Sequence, residues 1–579
     1  MCEPETVEPD LVSTLSRRRF LVYSAAAVGT ALIGSARANP YSTGSFSIPA
    51  QSEAGAADTV VEATIADLQA RMIAGKLTAR ELVLQYVARI NALDQHGPHL
   101  HSVLELNPDV LSIADALDLE RRTKGPRGLL HGIPILVKDN IDTADTMLTT
   151  AGSLALLGTR PAQDATVVER LRAAGAILLG KTNLSEWANF RSIHSSSGWS
   201  ARGGQNLNPY AVDRSPCGSS SGSAAAVAAS FTAAALGTET NGSIVCPASA
   251  CGVVGIKPTV GLTSRAGVIP VGHSQDTVGP HGRTVADAAA VLGALVGVDS
   301  RDPATSASAG KFYVDYTQFL DPQGLAGARI GVARKVFFGY SQETDRIVNT
   351  AIKIMRALGA EIIDPADIPS IRTIVSSSSE FEVLLHEFKA DLNQYLASRV
   401  ANPRYPQAPV VRSLADIIAF NESNRASEMP YFDQEIFHMA QKKGPLTDQS
   451  YLTALETSHR LSREEGLDAV LDTFQLDALV APTGGPAWLI DLPHGDHFIG
   501  GSSKPAAMAG YPIISIPAGY VAGLPVGLSF MGRAYSEPTL IKLAYAFEHA
   551  TQVRRPPQLG SGLEPTNRAI FLPFIVDGQ

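Results

Sequence analysis

Between Thr64 and Leu93 the apolar positions Ile65, Leu68 and Met72, then Val83, Val87 and Ile90, recur at three- and four-residue spacing. That spacing gives a helix one buried stripe, so two amphipathic helices are predicted. Thr78 ahead of Glu81 forms a capping box at the start of the second, each side chain satisfying the other residue's backbone N–H. The pattern then changes. Ile133–Val137 after Gly132, and Ala176–Leu179 before Gly180, are short apolar runs of the buried-strand type. Helices are predicted over Ala165–Ala174 and Ser223–Ala235. Past a polar connector at Arg301–Lys311, expected to be exposed, a strand at Ala328–Val332 and a helix at Glu343–Leu358 resume the alternation. Residues 376–474 depart from it. They are charged, helical and broken by the Pro-rich turn Asn402–Pro409, and read as a helical insertion packed on the sheet. Strands at Ala478–Ala481 and Ile513–Ile516 and a helix at Pro538–His549 close the series. Such alternation predicts an α/β sheet covered by helices on both faces.

Composition narrows the function. With 579 residues, 45% apolar and 18% charged, the chain has ample core, and disorder, collagen and coiled coil are excluded. Its 47 Lys+Arg against 56 Asp+Glu give −9, so no basic footprint for nucleic acid exists. No apolar run reaches the roughly 18 residues needed to span a bilayer. At the N-terminus, Ser16-Arg17-Arg18-Arg19-Phe20-Leu21 leads into a mostly apolar stretch to Ile33, followed by Ala36-Arg37-Ala38. These are the parts of a twin-arginine signal peptide cleaved after Ala38. Residues 1–38 are therefore expected to direct export to the periplasm or outside the cell, 39–57 to be a loose arm, and 58–579 to be the folded domain. Cys2 leaves with the signal. Cys217, Cys246 and Cys251 are odd in number and are expected to be small buried packing residues, since a chain exported already folded needs no disulfide framework.

Three serine arrangements compete for the chemistry. Gly218-Ser219-Ser220-Ser221-Gly222 fits a nucleophile elbow centred on Ser220, but an elbow follows a strand and Tyr210–Cys217 is a Pro-containing polar loop. Phosphate binding lacks both a Gly-Lys-Ser/Thr ending and dinucleotide glycine spacing. The third arrangement joins Ser219, Ser243 in Thr240-Asn241-Gly242-Ser243, and Lys138 at the end of Ile133–Val137. A serine needs an adjacent base, and lysine can serve only if its pKa falls from about 10.4 towards neutrality, which burial accomplishes. Metal readings are weaker. His494-Gly-Asp-His497 lies in a turn beside Pro493, and His386-Glu387 is expected on an exposed helix face.

Five ordered blocks carry a family resemblance: Gly132-Ile-Pro-Ile-Leu-Val-Lys138-Asp139-Asn140, Gly218–Ala226, Gly237-Thr-Glu-Thr-Asn-Gly-Ser243, Gly252–Thr259 and Asp276-Thr-Val-Gly-Pro280. With Ala481–Thr483, Ala509–Pro512 and Gly523–Gly527, the likeness covers nearly all of residues 60–556, and the chain resembles the amidase signature family. The resemblance implies a single large mixed β-sheet flanked by helices, with a signature core over about residues 130–285. It implies that Ser243 is the nucleophile, that Ser219 sits in a cis peptide and relays the proton, and that Lys138 is the ultimate base. Backbone N–H groups of Thr240, Asn241, Gly242 and Ser243 would form the oxyanion hole, with no metal or cofactor. Two blocks depart from the family. Glu239-Thr-Asn-Gly-Ser243 stands where Asp-x-Gly-Gly-Ser is usual, and Cys217-Gly-Ser-Ser-Ser-Gly222 where Gly-Gly-Ser-Ser-Gly-Gly is. Asn241 is expected to replace the glycine by tolerating left-handed backbone angles.

Within the family, Ser185–Arg191, Gly198-Trp-Ser200, Arg202–Asn206, Glu387–Asn393 and Pro482–Trp488 resemble the bacterial peptide amidases. That likeness implies release of ammonia from C-terminal carboxamides of peptides, and the protein is expected to act as a monomer. The alternatives are an aryl acylamidase, a carbamate or cyclic-oligoamide hydrolase, and an amidotransferase component that works on charged tRNA, against which an export signal argues. Ser220, Trp488 and Phe388 are the expected substrate contacts. Phe381, Phe388 and Tyr395 recur every seven residues, so they either wall an acyl groove opposite Pro482–Trp488 or form one buried helix face.

Overall fold

Strand Ala478–Pro482 shows how the sheet is built. Ala478 and Val480 point into one hydrophobic layer with helices Val285–Leu295, Gln342–Ala357 and Glu537–Thr551. Leu479 and Ala481 point into the opposite layer with Ile371, Leu467, Leu471 and Met508. Successive strand side chains face opposite ways, so a strand buried on both faces must be apolar throughout. The structure, a computed structural model, describes residues 60–559. The predicted signal peptide and arm lie outside the described residues.

Among the described residues the main sheet has 11 strands. From edge to edge they are Val103–Leu106, Ile177–Thr182, Pro134–Lys138, Ala234–Glu239, Thr277–Gly282, Val254–Lys257, Ile513–Val521, Leu524–Met531, Ala478–Pro482, Arg329–Val332 and Glu361–Ile363. Parallel pairs join Pro134–Lys138 to both of its neighbours, and antiparallel pairs fill the centre. The fold is thus the mixed α/β sheet implied by the resemblance. Among the described residues no helix is long and apolar enough to cross a membrane.

The first two helices form at Ile65–Ile73 and Ala79–Ile90, each with a complete capping box, on Thr64 and on Thr78. Three expectations need correction. The predicted helix Ser223–Ala235 is instead a helix over Ser221–Ala228 and then the central strand Ala234–Glu239. Every residue of that helix is buried, so periodicity carried no signal for its end, and Ser230 turns the chain with φ 55°. The Arg301–Lys311 connector is not simply exposed. Asp302 is buried against Arg265, and Thr305 and Ser308 are buried in the turn Pro303–Ser308. His386 and Glu387 are buried rather than on an open face, because helix Ser379–Ser398 is packed on two sides.

The insertion docks through that helix. Leu385, Phe388, Leu392 and Leu396 pack with Trp187, Phe190 and Phe437 beneath the loops that follow strand Ile177–Thr182. A fully buried charge group reinforces it: Arg191 pairs with Glu186 and lies 3.9 Å from Glu428, while Glu428 also accepts from Leu154 N at 2.7 Å.

Candidate active site

Lys138 ends strand Pro134–Lys138 and is fully buried. Its Nζ donates to Ser219 Oγ at 2.8 Å and to Thr238 Oγ1 at 2.8 Å, Thr238 lying in the parallel neighbour strand Ala234–Glu239. Asn140 Nδ2 donates to the same Thr238 hydroxyl at 3.0 Å, fixing its orientation. Burial lowers the Lys138 pKa from 10.5 to about 7, against the opposing fields of Asp276 and Glu239. At that value both the amine and the ammonium of Lys138 are populated near neutral pH.

The Gly218–Ser219 peptide is cis, as the resemblance implied. A Cβ at position 218 would lie 2.1 Å from Ser185 Oγ, so any other residue there would have to displace the hydroxyl that accepts from Gly198 N. Ser185 N donates to Ser219 O at 3.0 Å, and Ser220 N donates to Ser243 O at 3.1 Å, which sets the loop of Ser219 against the turn of Ser243. Ser243 itself is 8% exposed and stands just before helix Val245–Ala250.

Glu239 shapes that turn. Its buried carboxylate accepts from Gly242 N at 2.8 Å, Ile244 N at 2.7 Å and Val245 N at 3.0 Å, a negative charge at the amide-rich start of the helix. The Gly242 N–H is therefore committed to Glu239, which corrects its expected place among the oxyanion donors. The left-handed residue of the turn is Gly242 with φ 82°, and Asn241 does not adopt a positive φ. Asn241 instead bridges: Nδ2 donates to Glu380 Oε1 at 2.7 Å and Oδ1 accepts from Ser503 Oγ at 2.7 Å. Glu380 is also held by Gln275 and Lys504. Asp276 accepts from Thr240 Oγ1 at 2.5 Å and from the amides of Val271 and Gly272, anchoring the other side of the turn.

Two of the cysteines are not packing residues: Cys217 and Cys246 form a disulfide, and only Cys251 remains a buried thiol. Counting all three as one class hid the pair, which the fold brings together across 29 residues. Trp488 packs on this disulfide and donates from Nε1 to Asp496 at 3.1 Å. It is partly buried and lies on the disulfide side of the site. Ser220 and Phe388 do not fit the substrate-contact expectation. The Ser220 hydroxyl is fully buried and spends itself on Thr238 O and N, at 3.0 and 3.2 Å. Phe388 is fully buried and stacks on Phe437 at 5.4 Å, while Tyr395 donates to Asp142. The seven-residue spacing is thus a helix face packed on the core, fully buried at Phe388 and partly buried at Phe381 and Tyr395.

Sequence reasoning passed over Thr238, Glu239, Asn140, Asp276 and Glu380 as site residues. The first four lie inside the blocks that carry the family resemblance, whereas nothing in the sequence ties Glu380 to Asn241. Metal ligation finds little support. His494 and His497 both bond Asp491 in an exposed loop. Among the described residues His273, Glu387 and Asp391 cluster, but the imidazole sits between the carboxylates, Nδ1 2.8 Å from Asp391 and Nε2 3.3 Å from Glu387. Burial works against its charge, yet the Asp391 bond and the Glu387 field prevail and raise its pKa, as in an ion pair.

The chain is 45% identical over 508 residues to a protein of Arabidopsis thaliana named a probable amidase, covering 86% of this chain and 92% of that one. It is 35% identical over 509 residues to a glutamyl-tRNA(Gln) amidotransferase subunit of Chloroflexus aurantiacus, covering 84% and 96%. Among solved structures, native peptide amidase from Stenotrophomonas maltophilia superposes with a TM-score of 0.82 at 52% identity, covering 87% of this chain and all of that one. The amidase family model matches residues 81–541, the span that contains the Lys138, Ser219 and Ser243 segments, and the chain belongs to the amidase signature family, an amide-hydrolysing enzyme.

Proposed function

We propose that this enzyme hydrolyses the C-terminal carboxamide of peptides with Ser243 as nucleophile, Ser219 as proton relay and Lys138 as base. The observation that carries the reading is the 2.8 Å bond from Lys138 Nζ to Ser219 Oγ, made by a lysine that burial brings to a pKa of about 7. Neutral Lys138 takes the Ser219 proton as Ser219 takes that of Ser243, and Ser243 Oγ attacks the carbonyl carbon. The oxyanion that forms is met by the backbone N–H groups of Thr240, Asn241 and Ser243, each worth roughly 3 kcal/mol in such a site. Collapse breaks the C–N bond. The proton returns through Ser219 to the leaving NH2, ammonia departs, and water hydrolyses the acyl-enzyme along the same path to leave a free carboxylate.

The carboxamide assignment is supported by the 52% identity to peptide amidase over most of the chain. The test is ammonia release from a panel of peptide amides beside the matching free peptides, anilides and carbamates. Peptide amides should turn over fastest. Rapid hydrolysis of anilides or carbamates with peptide amides inert would refute the substrate, and full activity of Ser243→Ala would refute the nucleophile. Export belongs to the same proposal, supported by Arg17-Arg18 ahead of Ala36-Arg37-Ala38 and by a disulfide that suits an oxidising compartment. N-terminal sequencing of secreted material should give Asn39, and a cytoplasmic protein starting at Met1 would contradict it.

A further inference from the structure

We infer that the Cys217–Cys246 disulfide is a positioning pair for the hydrolytic site, locking the loop of Ser219 to the turn of Ser243. The inference rests on the roles proposed for Ser243, Ser219 and Lys138. Cys217 lies two residues before Ser219, and Cys246 three residues after Ser243. The segment the bridge closes holds both serines, the buried helix Ser221–Ala228 and the strand Ala234–Glu239 with Thr238 and Glu239. Only Lys138 approaches from outside it.

Three observations make this positioning rather than bulk stapling. The closed segment is already placed by the sheet, its strand pairing with Pro134–Lys138 on one side and Thr277–Gly282 on the other, so what the bridge adds to the folded state is the join between the two serine segments. Cys217 has φ 59°, a left-handed angle that a residue with a Cβ keeps only when its surroundings impose it. The direct backbone link between the two serine segments is the single bond from Ser220 N to Ser243 O. The disulfide is the covalent counterpart of that bond on the side where Ala250, Ala487 and Trp488 cover it.

The third cysteine does not compete. Cys251 is buried, its Sγ contacts Pro216 O at 3.7 Å, and burial pushes its thiol pKa up. With little thiolate it attacks a neighbouring disulfide slowly. Cys246 is the partly exposed half of the pair, so reductant can reach it.

The experiment uses the intact enzyme in three states: oxidised, reduced and thiol-blocked, and as the double variants Cys217→Ser/Cys246→Ser and Cys217→Ala/Cys246→Ala. Non-reducing peptide mass mapping establishes the bridge first, and its absence overturns the inference. Readouts are kcat and KM on one peptide amide, the rate of fluorophosphonate labelling at Ser243, and the melting temperature. Loss of the bridge should lower kcat and the labelling rate together by about tenfold or more, as misplaced reacting groups do, with KM within about twofold. Reoxidation of the reduced, unblocked enzyme should restore the rate. Unchanged kcat and labelling in every bridge-free state, or losses that only track the unfolded fraction, would overturn the inference. Should a double variant fail to fold, the reduced wild type still decides. Failure of oxidised wild type to label at Ser243 would instead overturn the underlying catalytic assignment.

Discussion

Replacing Asp276 with Asn should shift the rising limb of the pH–rate profile to lower pH. Lys138 contacts only neutral oxygens, those of Ser219 and Thr238, so its charge is balanced at a distance by Asp276 first and Glu239 second. Burial outweighs both and brings the pKa from 10.5 to about 7, a change that corresponds to roughly 5 kcal/mol in favour of the neutral amine. Left at its ordinary value, only about one lysine in 3,000 would be neutral at pH 7, against half at a pKa of about 7. The sign of the Asp276 effect follows. Removing a nearby negative charge disfavours the ammonium, the pKa falls further, and the neutral base is reached at lower pH. One such charge is worth on the order of one pH unit or more when buried, so a wild-type midpoint near 7 should fall to about 6.

The assay is ammonia release as kcat/KM from pH 5 to 9, which reports groups of the free enzyme. Asn keeps an oxygen for the Val271 and Gly272 amides, and its NH2 can face the Thr240 hydroxyl, so the anchor of the turn survives. Damage to the turn alone would lower the plateau without moving the limb. A limb that stays at the wild-type position, or moves to higher pH, refutes the electrostatic argument. A wild-type midpoint above about 9 refutes Lys138 as a desolvated base.

Ser243→Ala should reduce kcat by roughly 10⁴-fold or more, with the melting temperature nearly unchanged because one hydroxyl at a partly open site is removed; comparable activity would exclude it as nucleophile. Asn241→Gly leaves Glu380 and Ser503 without a partner at the turn and should cost about 1–3 kcal/mol, read as a fall in kcat and in the urea midpoint. Arg191→Met removes the guanidinium between the buried Glu186 and Glu428 and should cost about 3–5 kcal/mol in urea unfolding, measured at pH 8. A loss below about 1 kcal/mol would mean that the two carboxyls are already neutral there.

How far the sequence could be read depended on what each signal measures. Amphipathic helices such as Ala79–Ile90 were legible because one face is buried and the other wet. The buried strands Val254–Lys257, Thr277–Gly282 and Leu524–Met531 were not, since they carry Gly or Pro and lack alternation. The Lys138, Ser219 and Ser243 segments were legible through their resemblance to the blocks of the family, and the structure brings Lys138 and Ser219 into contact. What escaped were relations at a distance. Glu380 meets Asn241 across 139 residues, Cys217 meets Cys246 across 29, and Asp276 reaches back 36 to Thr240.

These long-range ties, and one local tie from Glu239, share one target, the turn from Thr240 to Cys246. Glu239 gathers three of its amides, Asp276 holds Thr240, Glu380 and Ser503 hold Asn241, and the disulfide holds its far end. The nucleophile of an amidase must sit within a fraction of an ångström of both its base and the carbonyl it attacks. A turn of six or seven residues has too few internal contacts to hold itself that rigidly. The departures from the family pattern at Glu239, Asn241 and Cys217 therefore fall where a side chain was free to take on a tie. Asn241 and Cys217 replace glycines with side chains that reach other segments, and Glu239 replaces a shorter acid with one that gathers the amides of Gly242, Ile244 and Val245. On this account Asn241→Gly and loss of the disulfide should be more than additive in kcat, because both loosen the same turn and each makes it lean harder on the ties that remain. Independent effects, measured in the combined variant, would mean that the two ties act on different parts of the site.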